Sequence, residues 1–539
     1  MNNEPMANQR FDVLLEGGRV VDGSGEPAFE AAVGIRDGRI TVLREGAGDA
    51  HARTRIDASG RVVSPGFIDL HSHSGLMIFA DPLHEPKVRQ GITTEVIGVD
   101  GLSYAPIPDP MDLEALVEMN AGLDGAPPEA RPLSWRTVED YLDRLDGLHP
   151  SLNLAYLVGN SALRIGAIGW EEVGATKAQV ADMRAMLREA MEQGAIGLSS
   201  GLDYPPGSYA DTDELAQLTA EASAHGGFYH THVRYPLGDR FLDPFREAIE
   251  IGRRGEGPVH ITHFYHRQTF PAGPEPMLAL VDDARAEGLD VTFDTYPYEW
   301  ASTRLLIMIP PWVQSGGPQA TKERLADAGV RDRIRREMAE RGVLFAGRNA
   351  WDDVRLGAFT RPELLRWEGH TLGELVRYRG EDPVDVLCDV LLAEDLRVNQ
   401  VTPGPWTETL PHFIRHPVGM IGTDSTFIGA KPSPRTYGSF PRVLGQFVRD
   451  DAIVGLEEAV RCMTSAPAAR LGLNDRGLVR DGLVADLVVF DPQRVRSTAT
   501  YEEPRSFPEG IDWVFVAGEP VVAEGRHTGA RPGTVLRRR

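Results

Sequence analysis

The sequence predicts an α/β fold in which a TIM (β/α)₈ barrel carries a small β-sandwich. Eight short apolar segments alternate with helical segments through the middle of the 539-residue chain, as parallel sheets and barrels require. Short strands with glycine-rich turns occupy both ends of the chain. The interval between the seventh and eighth apolar segments is too long for a single loop, which predicts an insertion there.

The sandwich is expected to take strands from both ends of the chain. Within residues 1–64, apolar and polar residues alternate between turns such as Gly17-Gly18 and Asp37-Gly38. The same alternation returns within residues 478–539, in the runs Gly482–Asp491 and Trp513–Gly518. We therefore expect these two segments to pair in one sandwich beside a barrel of residues 65–477.

The barrel elements are predicted from apolar content and spacing. The strands are Phe67–His71, Thr94–Val99, Leu152–Val158, Ala195–Ser199, Phe228–His232, Val259–His263, Val291–Asp294 and Val418–Gly422. The helices between them include Lys177–Gln193, Thr212–His225 and Pro276–Glu287. The insertion is predicted at residues 304–415, with helices in Gln319–Arg341, Thr371–Arg379 and Pro383–Glu394.

Charge and composition exclude several classes of partner. The net charge of −23 argues against nucleic acid and against an anionic membrane, since both bind basic surfaces. The N-terminus lacks a signal-peptide pattern, and no apolar run is long enough to span a bilayer. Two cysteines provide no disulfide framework. We expect a cytoplasmic protein that acts on a small molecule, and a homo-oligomer is compatible with the sequence.

Histidines and acids recur where the predicted barrel strands end. His71 and His73 are two residues apart, so their side chains point to the same side of the first strand and can bind one metal ion. Chemistry in TIM barrels lies at the carboxyl ends of the strands. The candidate metal ligands at these ends are His71, His73, Asp100, His232, His263 and Asp424.

The run Ser64–His73, with its Pro-Gly turn, apolar strand and His-x-His end, resembles the first barrel strand of the amidohydrolase superfamily. A closer resemblance, to the D-aminoacylase (N-acyl-D-amino-acid deacylase) family, extends over essentially the whole chain. It is carried by Gly194–Gly207, Asp294–Tyr298, Pro434–Gly438 and Thr528–Gly533. The resemblance implies zinc, as one or two ions, and hydrolysis of the amide bond of an N-acyl-D-amino acid or a related N-acyl compound. It also implies that Asp424 is the catalytic base.

The first departure from that family is at Asp100, where the family has a metal-binding cysteine. A carboxylate is a harder ligand than a thiolate, so Mn²⁺ or Fe²⁺ becomes compatible with the site beside Zn²⁺. Many relatives bridge two metals with a carboxylated lysine. None of the four lysines follows a predicted barrel strand, so Asp100 is the candidate for a bridging ligand.

The second departure is at Tyr265, where the family usually has a lysine that holds the substrate carboxylate. A phenol can hydrogen-bond a carboxylate but carries no charge, and Arg304 and Arg435 are the candidates to supply it. Tyr204 and Tyr296 resemble substrate-contacting positions of the family.

Tyr265 also leaves two alternative substrates open, a cyclic amide or imide and an amide without an α-carboxylate. A catalytically inactive scaffold is the remote alternative, and the complete ligand set argues against it. The additional histidines His230 and His266 are expected to support the ligands.

Overall fold

Eight parallel strands form a barrel in the computed structural model, which describes residues 10–128, 133–235, 241–341 and 350–538. The strands pair with their neighbours in chain order, and an isolated bridge between Ser72 and Ser425 joins the first strand to the last. All eight predicted strands are confirmed, with ends within two residues of the prediction. Their bounds are Phe67–Asp69, Ile92–Ile97, Asn153–Gly159, Gly197–Gly201, Tyr229–His232, Val259–Ile261, Val291–Thr295 and Gly419–Ile421.

The barrel strands are apolar because they are covered on both faces. Every residue of Ile92–Ile97 and of Asn153–Gly159 is buried. Side chains fill the inside of such a barrel, and helices cover the outside. The helices of this layer are Glu85–Val88, Pro110–Asp124, Val138–Asp146, Asn160–Ala167, Lys177–Glu192, Thr212–Ala224, Asp243–Arg254 and Glu275–Ala286.

Side chains at the N-termini fix where several of these helices begin. Thr176 and Gln179 form a reciprocal capping box at the start of Lys177–Glu192. Asp211 accepts a hydrogen bond from the backbone N–H of Glu214 at the start of the next helix. Such caps satisfy donors that have no partner within the helix, and each contributes about 1 kcal/mol to stability.

The insertion between the seventh and eighth strands contains the predicted helices and also a small sheet that the sequence did not reveal. The helices are Gly317–Ala326, Ala328–Arg341, Leu372–Arg379 and Pro383–Ala393. The antiparallel strands of the sheet are Trp300–Arg304, Asn399–Pro403 and Arg355–Gly357, with the second of these in the centre. This sheet places Ser302 and Thr303 over the barrel mouth.

Five further helices flank the eighth strand: Leu410–Ile414, Arg435–Arg442, the π-helix Val443–Asp450, Leu456–Met463 and Ser465–Leu471. In the part of the chain that the structure describes, no helix has both the length and the apolar character needed to cross a bilayer.

Strands from the two ends of the chain share a sheet, as the sequence predicts. The seven-stranded sheet has the order Arg526–His527, Glu519–Ala523, Ile511–Val516, Leu487–Phe490, Val62–Pro65, Arg19–Val20 and Phe29–Glu30. A second sheet has the order Arg39–Leu43, Ala32–Arg36, Arg10–Glu16 and His51–Asp57. The domain boundaries at residues 64 and 477 stay predictions.

A buried polar cluster joins the first barrel strand to the segment after the eighth. The ammonium group of Lys87 is wholly buried, forms an ion pair with Asp69 and donates to Oγ1 of Thr423 at 2.7 Å. The other carboxylate oxygen of Asp69 accepts from the backbone N–H groups of His71 at 3.1 Å and Thr423 at 2.9 Å. The carboxylate of Asp69 thus positions His71, a candidate ligand, and Thr423, which directly precedes Asp424.

Candidate metal centre and active site

The six candidate ligands converge at the carboxyl ends of the barrel strands, and all are buried. They form two groups that share Asp100. We call the first the four-ligand site and the second the three-ligand site. The four-ligand site consists of His71, His73, Asp100 and Asp424, and the three-ligand site consists of Asp100, His232 and His263.

The spacing of the four-ligand site suits a tetrahedral ion. Nε2 of His71 lies 3.2 Å from Oδ2 of Asp100 and 3.6 Å from Oδ1 of Asp424. Nε2 of His73 lies 3.6 Å and 3.3 Å from the same two oxygens. A tetrahedron with metal–ligand bonds of about 2.0 Å has edges of about 3.3 Å. The distances between these donor atoms therefore agree with those expected around a tetrahedral zinc ion.

The three-ligand site is less regular. Nδ1 of His232 lies 2.9 Å from Nε2 of His263, and these nitrogens lie 3.6 Å and 3.8 Å from Oδ2 of Asp100. The same oxygen of Asp100 faces all four imidazoles, so Asp100 stays the candidate for a bridging ligand. The buried Lys87 is engaged with Asp69 and Thr423.

Each of the four histidines turns its second ring nitrogen towards a polar partner. Metal-bound imidazoles nearly always have such a partner, which fixes the ring and selects the nitrogen that faces the metal. The pairs are His71 with Asp294 at 3.6 Å, His73 with Asp124 at 2.8 Å, His232 with Asp203 at 2.7 Å and His263 with Tyr235 at 3.1 Å. The nitrogens that remain converge on Asp100, so the arrangement fits a metal centre.

The electrostatics of the centre favour a cation. Burial by itself lowers the pKa of a histidine, yet Asp100 and Asp424 outweigh it and raise the pKa of His71 to about 10. Burial is likewise outweighed at His232, where Asp100 and Asp203 raise the pKa to about 9. Burial would raise the pKa of Asp100, but His71 and the other imidazoles hold it well below its usual range. The carboxylates thus draw positive charge into a desolvated site.

Three of the candidate ligands have left-handed backbone conformations. The φ angles are 52° at Asp100, 34° at His263 and 47° at Asp424. Residues with a Cβ rarely adopt this region, and they cluster at functional sites that the surrounding structure holds in place. Gly201 provides part of that support, because a Cβ there would lie 1.9 Å from the carbonyl oxygen of Asp100.

Arg435 holds the second oxygen of Asp424. Its Nη1 lies 2.9 Å from Oδ2 of Asp424, and both side chains are buried. Burial would raise the pKa of Asp424, but the guanidinium of Arg435 and the charge of His71 lower it. The structure places Arg435 against the predicted base Asp424, and its predicted contact with substrate stays a prediction.

A cavity of ≈ 40 Å³ opens beside the two sites. Its walls include the predicted substrate residues Tyr204, Tyr265 and Tyr296, together with Tyr235, Ser302 and Thr303. Two larger grooves, of ≈ 430 and ≈ 460 Å³, lie along the sandwich, away from the ligand cluster.

Arg267 is the cavity residue that the sequence reasoning missed. Its guanidinium lies in the cavity wall, 3.4 Å from the hydroxyl of Tyr265 and 4.6 Å from the centre of the Tyr235 ring. Burial opposes its charge, but the neighbouring Tyr265 and Tyr235 raise the pKa of Arg267, so it stays protonated. Its position four residues after His263, in the same loop as Tyr265, was the available signal.

Two other expectations need correction. Arg304 does not line this cavity; it lies behind Tyr204 and donates to the carbonyl oxygen of Met119 at 2.7 Å. Burial lowers the pKa of Arg304 to about 10. His266 was expected to support a ligand, but its two nitrogens lie 2.8 Å from the carbonyl oxygen of Phe270 and 3.2 Å from Oγ1 of Thr409.

Paired histidines and carboxylates at the mouth of a TIM barrel define the class of metal-dependent hydrolases. The family model described as "Amidohydrolase family" matches residues 54–522. The chain is also 36% identical over 538 residues to a D-aminoacylase of Alcaligenes xylosoxydans xylosoxydans, with 98% of each chain covered. The chain belongs to the amidohydrolase family, in its D-aminoacylase branch.

Solved structures agree with this assignment. An N-acyl-D-glutamate deacylase from Bordetella bronchiseptica, complexed with zinc and a phosphonate that mimics the tetrahedral intermediate, has a TM-score of 0.82. It is 32% identical, and the match covers 98% of this chain and 100% of that one. A D-aminoacylase described as having a binuclear metal centre, with activation by one metal and attenuation by a second, also has a TM-score of 0.82, at 33% identity and with the same coverage.

Proposed function

We propose that this enzyme is a zinc-dependent deacylase of N-acyl-D-amino acids. The observation that carries the proposal is the convergence of four imidazoles and two carboxylates beside a cavity that contains a guanidinium. The relatives support the acyl-amino-acid class, because they are named for the deacylation of D-amino acids. The zinc in the Bordetella bronchiseptica structure supports the choice of metal.

The proposed ligands are His71, His73, Asp100, His232, His263 and Asp424. A zinc ion held by these residues would polarise the scissile carbonyl and would lower the pKa of a bound water to about 7. Asp424 then accepts the proton of the attacking water and passes it to the leaving nitrogen. Arg435 keeps Asp424 ionised and holds it in place for the first of these transfers.

The cavity walls would orient the substrate. Burial raises the pKa values of Tyr204 and Tyr296 well above their usual range, so both phenols stay neutral and can donate hydrogen bonds. Arg267 provides the positive charge that Tyr265 lacks at the family's lysine position. We assign the substrate carboxylate to Arg267 and Tyr265 together, since an arginine–carboxylate contact is charge-assisted and directional.

Release of free amine from a substrate panel tests the proposal. The panel contains N-acetyl-D- and N-acetyl-L-amino acids, the same D-compounds with the carboxylate converted to an amide, and cyclic imides. Activity that requires the D-configuration and the carboxylate, that is lost after metal removal and that returns with zinc is the expected result. Equal activity on the amide-capped compounds would contradict it.

The second candidate is hydrolysis of a cyclic amide or imide, or of an amide without an α-carboxylate. Tyr265 favours it, because a phenol stands where the family usually has a charged lysine. Preference for the imides in the same panel would support this alternative.

We also propose a cytoplasmic location for the enzyme and a small molecule as its partner. Cys388 and Cys462 are both free and buried, which fits a reducing compartment, and we place the enzyme in the cytoplasm. Its proposed partner is the small-molecule substrate.

A further inference from the structure

A long connection of the sandwich reaches the elements around the barrel mouth. Residues 491–510 join the strands Leu487–Phe490 and Ile511–Val516, which pair as antiparallel neighbours. Such neighbours are usually joined by about two to five residues, and long connections without strands or helices of their own are commonly functional. We call the outer part of this connection, residues 496–507, the sandwich loop. Its additional length lets it contact the insertion and the segments that follow the seventh and eighth barrel strands.

The sandwich loop packs against the insertion strand that forms one wall of the cavity. The ring of Tyr501 lies 5.0 Å from that of Trp300, and the guanidinium of Arg355 lies 4.4 Å from the centre of the Tyr501 ring and 5.4 Å from that of Trp300. Aromatic pairs and cation–ring contacts at these distances are attractive. Trp300 begins the strand Trp300–Arg304, whose next three residues line the cavity. The stack of Trp300, Arg355 and Tyr501 therefore holds one end of the cavity wall.

A second contact of the sandwich loop is with the segment that follows the seventh barrel strand. Oγ of Ser497 lies 2.7 Å from the hydroxyl of Tyr298. Tyr298 packs in a buried cluster with Tyr265 and Tyr296, and these two residues line the cavity. Gly438 permits this close approach, because a Cβ there would overlap both Oγ of Ser497 and the hydroxyl of Tyr298. The loop thus reaches the residues behind two further groups of the cavity wall.

The far end of the sandwich loop is anchored to the segment after the eighth barrel strand. Arg505 donates to the hydroxyl of Tyr437 at 3.2 Å and to the carbonyl oxygen of Phe427 at 3.2 Å. The ring of Phe507 lies 5.6 Å from that of Tyr437, and the guanidinium of Arg89 lies 3.8 Å from the centre of the Phe507 ring. None of these residues lines the cavity. The loop is therefore fixed to the barrel independently of the wall that it contacts.

We propose that Tyr501 is a positioning residue for the substrate cavity and acts through Trp300 on the wall residues that follow it. The inference rests on the proposed function and adds to it a contribution from the sandwich, whose described residues do not themselves line the cavity. Because the backbone of Trp300 continues directly into the cavity wall, a shift of the Trp300 ring is transmitted to the side chains that line it. A misplacement of about 1 Å that originates away from the reacting atoms can cost up to about 100-fold in rate.

The insertion contains a second stack of the same composition, which provides a matched control. The rings of Trp367 and Tyr378 lie 5.1 Å apart, and the guanidinium of Arg366 lies 4.9 Å from the centre of the Tyr378 ring and 5.5 Å from that of Trp367. None of these three residues lines the cavity. Tyr501→Ala and Tyr378→Ala therefore remove equivalent contacts, and only the first removes them from the cavity wall.

Hydrogen–deuterium exchange measures the wall directly. In the full-length, zinc-loaded protein without substrate, the amides of Trp300–Arg304 should exchange about 5–50-fold faster in Tyr501→Ala than in the wild type. The reason is that the variant loses an aromatic contact and a cation–ring contact that oppose local opening. Tyr378→Ala should accelerate only the exchange of its own helix, Leu372–Arg379, and Tyr501→Phe, which keeps the ring, should resemble the wild type.

Steady-state kinetics tests whether the wall positions the substrate. With whichever compound of the substrate panel is hydrolysed, Tyr501→Ala should raise KM about 3–10-fold and leave kcat within about twofold of the wild-type value. This split is expected because the wall orients the bound substrate in the ground state and in the transition state alike. Tyr378→Ala should change neither constant. The zinc content and the thermal unfolding midpoint of each variant show whether the metal centre and the fold are intact.

Unchanged exchange of Trp300–Arg304 in Tyr501→Ala, or an unchanged KM despite faster exchange, would overturn the positioning role. Equal effects of Tyr501→Ala and Tyr378→Ala on KM would assign the loss to general destabilisation and would overturn it as well. If Tyr501→Ala does not fold, Arg355→Gln removes the cation from the same stack and is judged by the same two measurements. Because the exchange needs no turnover and any hydrolysed compound serves for the kinetics, an error in the proposed substrate would not affect this test.

Discussion

Nη1 of Arg435 lies 2.9 Å from Oδ2 of Asp424, while the other oxygen of that carboxylate faces the imidazoles of His71 and His73. The carboxylate of Asp424 thus lies between the guanidinium of Arg435 and the two histidines that we propose as metal ligands. Its two oxygens have separate partners, which fixes its orientation. Five predictions concern this arrangement and its surroundings.

Replacing Arg435 should change the pH at which the enzyme becomes active. Arg435→Gln removes the charge that lowers the pKa of Asp424, so this pKa rises and the base is protonated at higher pH. The acid limb of the kcat/KM profile should move upward by about one to three pH units. Arg435→Lys keeps the charge and should move the limb less. An unchanged limb in Arg435→Gln would show that the limb reports another group.

Asp424→Asn should remove nearly all turnover. The asparagine has nearly the same size but cannot take a proton from water, and loss of a general base typically costs about 10²–10⁴-fold in rate. The measurement is kcat with a good substrate, alongside the thermal unfolding midpoint of the metal-free protein, which should stay close to that of the wild type. A kcat near the wild-type value would place the base elsewhere.

Substitutions of Asp100 should separate a ligand from a turn residue. Asp100→Asn keeps a side chain that can stabilise a turn but loses the charge, so metal affinity and activity should fall together. Asp100→Cys should keep the metal and move its preference towards zinc, because a thiolate is the softer ligand. Metal titration of the two variants checks this. Full metal content in Asp100→Asn would mean that Asp100 only shapes the turn before Gly101.

Arg267→Gln should weaken the binding of substrates that carry a carboxylate. A hydrogen bond to a charged group contributes about 1.5–3 kcal/mol, so kcat/KM should fall by roughly 10–150-fold. Amide-capped substrates should be affected little. Arg267→Lys restores the charge and should recover part of the loss, and Tyr265→Phe separates the contribution of the phenol. An equal loss on capped and uncapped substrates would contradict the assignment.

Acid should weaken the fold partly through Glu95. Burial would raise the pKa of this carboxyl, but the charges of His84 and Lys87 outweigh it and lower the pKa to about 2. Since this is below the unfolded value of 4.5, the stabilisation is complete above that pH and is lost as the pH falls to about 2. It amounts to roughly 3 kcal/mol.

Glu95→Gln tests this contribution. The variant should be less stable than the wild type at pH 7, and the difference should shrink steadily between pH 5 and about pH 2. Urea unfolding midpoints of both proteins across this range provide the comparison. A difference that stays constant with pH would assign the loss to packing instead of charge.

The barrel could be predicted because its signals are local. Each strand is a short apolar run followed by a polar or histidine-containing turn. The residues that face the mouth of the barrel lie directly after the apolar run. Thus His71, His232 and Asp424 could each be placed from their own segment. The pairing of Trp300–Arg304 with Asn399–Pro403 joins residues about 100 positions apart, and no local pattern marks it.

The side-chain positions of Arg304 and Arg267 could not be predicted from the sequence pattern. Thr303 lines the cavity, and its Oγ1 lies 2.9 Å from the hydroxyl of Tyr204, whereas Arg304 donates to the carbonyl oxygen of Met119 in the helix Pro110–Asp124. The alternation of side chains along a strand could not predict this difference, because Ser302 also lines the cavity. Arg267 belongs to a loop without regular periodicity, and only the folded chain shows that its guanidinium reaches the cavity.

The contact of Lys87 and Asp69 with Thr423 has a consequence for synthesis on the ribosome. The segment that contains His71 and His73 emerges early, but its partners Thr423 and Asp424 are separated from it by some 350 residues. The strand Val62–Pro65 is likewise made long before Leu487–Phe490, the strand with which it pairs. The growing chain therefore carries an open barrel and an unpaired sheet edge for most of translation, when such edges invite aggregation. A chain that terminates before residue 424 therefore lacks Asp424, one of the six proposed ligands.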